Sequence, residues 1–420
     1  MVPPAIGHLN PMVALALELR RRGHRCVLFC VADGLERLAG LPLELVSLGV
    51  TAFPAGSVRA IQAELGRRSG LGGLRWTVAY LRRELAMLLA ELPEAVRAAG
   101  CDALVVDQVC PAGGTVAERL GLPFISVANA LPINREAAVP PYPTGWQPGP
   151  SLWRRWRNQA GNALLDRLTG PLWHDLQRQR QQWGLPRLAR RDQADSPLLQ
   201  LAQLPRALDF ERERLPPHWH DVGPLLDPDR GEPLQGETPP FPWQRLDGRP
   251  LIYAALGTLQ IGRPELFAQI AAACAPLDAQ LVLSLGNPAA ALPQELPGQP
   301  LVVPFAPQRE LIGRAAVVIT HAGLNTTLTA LSCGVPLVAI PITNEQPGIA
   351  ARLQRSGAGL VLPLRRLNET RLRLAVHEAL EDPGPRRQAE RLQQTISAAG
   401  GVRRAAALIE RSLAAVAQPT

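Results

Sequence analysis

The chain has 420 residues, 46% hydrophobic and 19% charged, a length that holds two domains with cores of their own and a composition that excludes a disordered or fibrous protein. Its net charge of +8 comes from arginine alone, since no lysine occurs; the excess suits phosphate or anionic lipid but equally reflects genomic composition, so charge by itself assigns no partner. No stretch of about 18 apolar residues and no basic segment followed by an apolar run is present, which argues against a spanning helix or a secretory leader and predicts a cytoplasmic protein, with peripheral contact to the inner face of a membrane left open.

Residues 1–4 lead at once into the loop Ala5-Ile6-Gly7-His8. A helix is expected over 11–22, with Asn10 as N-cap, Pro11 at the first helical position and Gly23 as stop. A parallel α/β domain needs a strand before such a loop. Here that strand is missing or reduced to a stub, which reads as a start assigned too late or a fragment. Strands expected at 25–31, 103–106 and 124–127 alternate with helices at 74–99 and 115–120, the rhythm of a doubly wound parallel sheet.

Between Trp146 and Trp183 the chain carries five of its eight tryptophans, interleaved with arginines. Apolar residues at 152, 153, 156, 164, 165, 168 and 172 are spaced as one helix face with arginines beside it. Helices that cover the sheet and an interfacial membrane helix both fit this pattern. No nucleic-acid motif accompanies it. A Pro-, Gly- and acid-rich segment at 226–241 then breaks the rhythm, which restarts with strands at 251–256, 280–285, 301–303, 317–319, 337–340 and 359–362. The domains are therefore placed at 1–225 and 249–384, joined by a linker at 226–248 and followed by helices over 385–420 that pack back toward the first domain.

The segment 320–346, THAGLNTTLTALSCGVPLVAIPITNEQ, concentrates the chemistry. A buried strand delivers His321 and Gly323 to a helix start, where unpaired N–H groups and the positive end of the helix dipole favour an anionic diphosphate. Gly323 allows close approach to the backbone, and Asn325 and Thr326 can cap the helix or contact phosphate. The next strand exits at Asn344, Glu345 and Gln346, which suit hydroxyl groups. Together these point to an activated sugar, against the plainer reading of a turn glycine and a capped loop histidine. Neither G-x-x-x-x-G-K-[ST] nor G-x-G-x-x-G after a strand occurs. The six cysteines show no zinc spacing and no C-x-x-C pair, and read as reduced core residues. His24, His174, His218, His220 and His377 show no metal-ligand arrangement.

This segment, with GHLNPMVALALELRRRGH at the start of the chain and PFAPQREL at 304–311, resembles the nucleotide-sugar-dependent glycosyltransferases (the UDP-glycosyltransferase family), in particular the type that glucosylates carotenoids such as zeaxanthin. The resemblance implies the GT-B fold, two Rossmann-like domains facing across a cleft, with the acceptor bound by the first and the donor by the second. It implies inverting, metal-independent transfer of a hexose, with glucose and UDP the first expectation, to a hydroxyl of a lipophilic acceptor. A UDP-sugar is then a co-substrate, and no cofactor is expected. His8 matches the family's general base and Asp107 the aspartate that orients it. On the donor side Thr258 matches the small hydroxyl residue near the phosphates, Phe305 the aromatic that stacks on the base, Ala306 a backbone contact and Gln308 the ribose contact. His321 is expected to hydrogen-bond or charge-pair with the diphosphate, helped by Gly323, Asn325 and Thr326, while Glu345 and Gln346 match the pair that holds the sugar hydroxyls. Thr329 departs from the pattern, because the family places there a carboxylate that binds both ribose hydroxyls. That departure, with the clipped start, keeps a non-catalytic binding relative in view. A nucleotide-sugar 2-epimerase of the same fold is the other alternative, and the histidine of GHLNP argues against it.

Overall fold

The computed structural model describes residues 1–58, 60–61, 64, 70–227, 240–257, 264–286 and 295–417. Its N-terminal half contains β1 (Val27–Val31), β2 (Glu44–Leu48), β3 (Leu104–Asp107), β4 (Phe124–Ala128), β5 (Gln200–Ala202) and β6 (Trp219–Asp221). β1 pairs with β2, and β3 to β6 pair in sequence, all in parallel. Met1 and Val2 fill the slot between the two sets. The Val2 N–H donates to Phe29 O at 3.4 Å and the Asp107 N–H to Met1 O at 3.2 Å, so the stub occupies the first-strand position of an order that reads 3-2-1-4-5-6-7 across the domain. Both residues are almost wholly buried.

The C-terminal half repeats the first six positions of that order without interruption. β7 (Leu251–Ala255), β8 (Gln280–Ser284), β9 (Leu301–Val303), β10 (Ala315–Thr320), β11 (Leu337–Ala339) and β12 (Gly359–Val361) form one parallel sheet in the order β12-β11-β10-β7-β8-β9. Its strands read as continuous apolar runs because both faces are covered, one by a cluster containing Leu328, Leu331 and Ile349 and the other by one containing Ile270, Leu372 and Val376. Of the linker expected at 226–248, residues 228–239 lie outside the described residues.

Two helices close the chain on different bodies. Pro383–Ala398 buries Ala389, Leu392 and Ile396 in the C-terminal core. Gly401–Ala417 instead buries Val402, Ala405, Ala406 and Ile409 in the N-terminal core, where Glu410 meets Arg22 and His24. A second tie is ionic. Asp209 holds Arg212 and, from the C-terminal helix Gln346–Ser356, Arg352, each Nε at 2.6 Å, while the Arg352 guanidinium lies 4.2 Å over the Phe210 ring.

Three strands, β2, β5 and β6, were not expected from sequence. β5 and β6 are three residues long and include Gln200 and His220, and β2 is half exposed, so none carries the continuous apolar run by which a buried strand is recognised.

Candidate active site

The first helix begins at Ile6 and runs to Arg21, five residues earlier than Pro11 as first helical residue would give. Pro11 therefore lies inside the helix, where it has no N–H for the Gly7 carbonyl four residues back. That carbonyl accepts instead from Asn325 Nδ2 at 2.9 Å, a bond from the opposite domain. A helix irregularity near His8 thus becomes a fixed contact across the cleft. Asn325 does not cap its own helix, and one of its two amide N–H groups is taken by this bond.

His8 sits in the first turn of that helix, and its Nδ1 lies 2.7 Å from Asp107 Oδ2. Asp107 ends β3 and is fully buried. It accepts two further bonds, from Asn129 Nδ2 at 2.7 Å and from the Val109 N–H at 3.1 Å. With every donor aimed at the carboxylate, Nδ1 of His8 carries the hydrogen and Nε2 is left as the basic nitrogen. Burial disfavours the imidazolium, but the charge and hydrogen bond of Asp107 outweigh it and hold the His8 pKa above its ordinary value. Glu345, at the start of Gln346–Ser356, adds to the same upward pull.

Two neighbours of this pair gave no signal in the sequence. Asn129 follows β4 in an ordinary VANA run. Glu84 lies on the long helix Gly70–Ala98, is 6% exposed, and is pushed up to about 7, first by burial, with His8 lowering and Asp107 raising it. Only the packing of β3, β4 and this helix shows that they converge.

On the facing domain β10 ends at Thr320, Ala322 adopts a left-handed φ of 65°, and Gly323 caps the helix Leu324–Ser332 without a side-chain bond. The N–H groups of that first turn are open to an anion. His321 is wedged between glycines: a Cβ on Gly323 would stand 2.6 Å from its Nε2, and one on Gly257, itself at φ 74°, 2.8 Å from the same atom. Burial pushes the imidazole pKa down to about 4, which favours the hydrogen bond over the charge pair as its contact to a diphosphate. Its Nδ1 is buried without a partner.

The remaining donor-side residues surround this turn. Gln308 opens the helix Gln308–Arg314 and donates from Nε2 to Thr326 Oγ1 at 3.4 Å, with Phe305 and the buried Ala306 in the preceding loop. The Gln346 side-chain oxygen accepts from Ile342 N at 2.8 Å and Thr343 N at 2.9 Å, which shapes the loop and leaves only its amide N–H groups for a ligand. Thr329 lies on the same helix as Asn325 and is 5% exposed. Thr258 lies outside the described residues. Among the described residues no group of three metal-ligating side chains occurs.

A histidine held by a buried carboxylate therefore faces a helix start open to an anion, joined to it across the cleft by one hydrogen bond. Comparison with known proteins gives this arrangement its family. Over 99% of its length the chain is 36% identical to a zeaxanthin glucosyltransferase of Pseudescherichia vulneris, covering 97% of that protein. The chain belongs to the nucleotide-sugar-dependent glycosyltransferases. A zeaxanthin glucosyltransferase of Pantoea ananas is 33% identical over 98% of this chain and 94% of its own. Residues 268–402 match the family described as Erythromycin biosynthesis protein CIII-like, C-terminal domain. The crystal structure of the glycotransferase of kitacinnamycin superposes with a TM-score of 0.74 over 98% of this chain and 97% of that one at 24% identity, which shows the shared fold. As a glycosyltransferase of the GT-B fold, the protein is an enzyme whose cleft lies between the two sheets described above.

Proposed function

We propose that this glycosyltransferase moves glucose from UDP-glucose to a hydroxyl of a lipophilic, carotenoid-like acceptor, with inversion at the anomeric carbon. The observation that carries the reading is the 2.7 Å His8–Asp107 pair placed one residue from the Gly7–Asn325 bond that joins it to the donor helix. The acceptor O–H gives its proton to His8 Nε2 while its oxygen forms the bond to the anomeric carbon. The bond from that carbon to the diphosphate oxygen breaks, and its electron pair leaves on UDP. Asp107 stabilises the imidazolium that forms. The growing negative charge on the diphosphate is met by the N–H groups of the Leu324–Ser332 helix and an N–H of neutral His321. Glu345 and the Gln346 amide hold sugar hydroxyls.

Similarity to two proteins named zeaxanthin glucosyltransferase supports the choice of sugar and acceptor. The test is UDP release with zeaxanthin in detergent micelles against a panel of soluble alcohols. Acceptor-dependent release by the wild type and its loss in His8→Ala support the reading. Release without any acceptor at the same rate, or an unchanged His8→Ala enzyme, would overturn it.

A further inference from the structure

The helix Leu152–Leu168 is amphipathic in the wrong sense for a helix that covers a core. At 100° per residue, Leu152, Trp153, Trp156, Ala160, Ala163, Leu164 and Arg167 fall within an arc of roughly 120°, and all seven are exposed. The large ones are strongly so: Leu152 83%, Trp153 65%, Trp156 59% and Leu164 57%. Opposite the centre of that arc is Asn158, 1% exposed, whose amide donates to Ala137 O at 2.9 Å. The protein thus buries an asparagine and turns two tryptophans outward, stacked with ring centroids 5.2 Å apart. The apolar set expected from sequence divides here, with 152, 153, 156 and 164 outward and 165, 168 and 172 turned partly inward. The next helix, Gly170–Gln182, packs conventionally through Leu176 and an Arg180–Glu118 pair.

The charges around this face select its occupant. Between Leu152 and Leu165 the helix has no acidic residue, and Asp166 is taken by Arg135 and Arg191. Arg155 is paired with Glu213, and Arg157 stacks on Trp146. Arg167 lies within the apolar arc, exposed, and forms no ion pair among the described residues, whereas Arg154 lies off the arc and donates to Pro148 O at 2.6 Å. Two copies packed through this same face would bury Arg167 against a surface without a free carboxylate. An anionic bilayer provides the phosphate, and tryptophan and arginine are the side chains that settle at its interface. No helix among the described residues is long and apolar enough to cross a membrane, so contact through this face is peripheral.

We propose that the outward face of Leu152–Leu168 is a docking surface for an anionic lipid bilayer. The segment leading into it touches the cleft wall, because Gln147 Nε2 donates to Ala351 O at 2.8 Å on the helix that begins beside Glu345. A protein lying on this face therefore keeps the donor-side wall tied to the membrane-facing element. The inference does not depend on the acceptor proposed above, and its test uses vesicles without acceptor or UDP-glucose.

The experiment is flotation of the full chain with vesicles of phosphatidylcholine alone or mixed with phosphatidylglycerol, with light scattering of the vesicle-free protein alongside. The wild type is expected to float with the anionic vesicles and less so as salt rises, while Trp153→Ser with Trp156→Ser weakens binding by about tenfold or more without lowering Tm. Arg167→Gln should weaken binding to the anionic vesicles and leave any binding to phosphatidylcholine alone unchanged. Failure of the wild type to float, or equal flotation of the tryptophan variant, overturns the proposal. So does a wild-type dimer that the tryptophan variant converts to monomer without any flotation, since a second copy would then be the occupant.

Discussion

A histidine in a first helical turn is an ordinary residue until a buried carboxylate fixes its tautomer, and Asp107 does so with three donors converging on it. His8→Ala removes the only proposed proton acceptor, so kcat/KM should fall by about 10²- to 10⁴-fold, while UDP affinity measured by calorimetry stays within a factor of about two, because the donor-side contacts all lie on the other domain. The pH dependence has a defined sign. The base acts when neutral, and Asp107 raises the His8 pKa, so kcat/KM should climb as pH rises through a value above about 6.5. Asp107→Asn removes the charge that raises it. The rising limb of the profile should then move to lower pH even as the plateau drops; a limb that moves upward or stays fixed would show that another group is being titrated. At this scale the sequence was informative where a motif carries the residue. His8 lies in GHLNP and was found there, whereas Glu84 and Asn129 have meaning only through the convergence of elements far apart in the chain.

Elements position these residues through their irregularities. The proline in the first helix was read as a helix start because that is where an isolated proline is most at home. Packing instead begins the helix at Ile6, and the carbonyl freed at Gly7 reaches Asn325. Asn325→Ala should lower kcat/KM by about threefold to tenfold, the loss of the one hydrogen bond that fixes the His8 turn against the donor helix, with little change in Tm. On the donor side the strand-to-helix turn was legible, since the apolar run up to Ile319, the glycine and the helical spacing from Leu324 all precede any structural knowledge. The wedging of His321 between two glycines was not. Gly323 has an unremarkable φ of −66°, so an alanine there keeps its backbone conformation and must displace the imidazole 2.6 Å away. Gly323→Ala is therefore expected to weaken UDP binding by about tenfold or more, about 1.4 kcal/mol, in isothermal titration. Unchanged affinity would mean that the position of His321 does not matter to the donor.

The two domains are held as one molecule by the crossing of the last helix and by the Asp209 cluster. Arg352 is 2% exposed and Arg212 3%, so Asp209 is the counter-charge for Arg352 and shares Arg212 with the buried Glu136, 3.8 Å from it. Its own pKa is lowered, because the two arginines together overcome the burial that would raise it. Asp209→Ala leaves Arg352 buried without a carboxylate and should cost about 3–5 kcal/mol, read as a lower midpoint in urea. Removing one arginine by Arg352→Met should cost less, since a thioether can still pack on Phe210. None of this was readable from sequence, where Asp209 and Arg352 stand in unrelated segments. The family and the doubly wound fold were readable, because three ordered motifs and the strand-helix rhythm span most of the chain. At the scale of the whole molecule the account makes one claim above the others, that the sugar passes in a single displacement between the His8 side of the cleft and the Leu324–Ser332 helix. The anomeric configuration of the product, read from its NMR coupling constant, tests this directly. Starting from the α-linked UDP-glucose, a single displacement yields the β-glucoside, and recovery of the α-glucoside would contradict it.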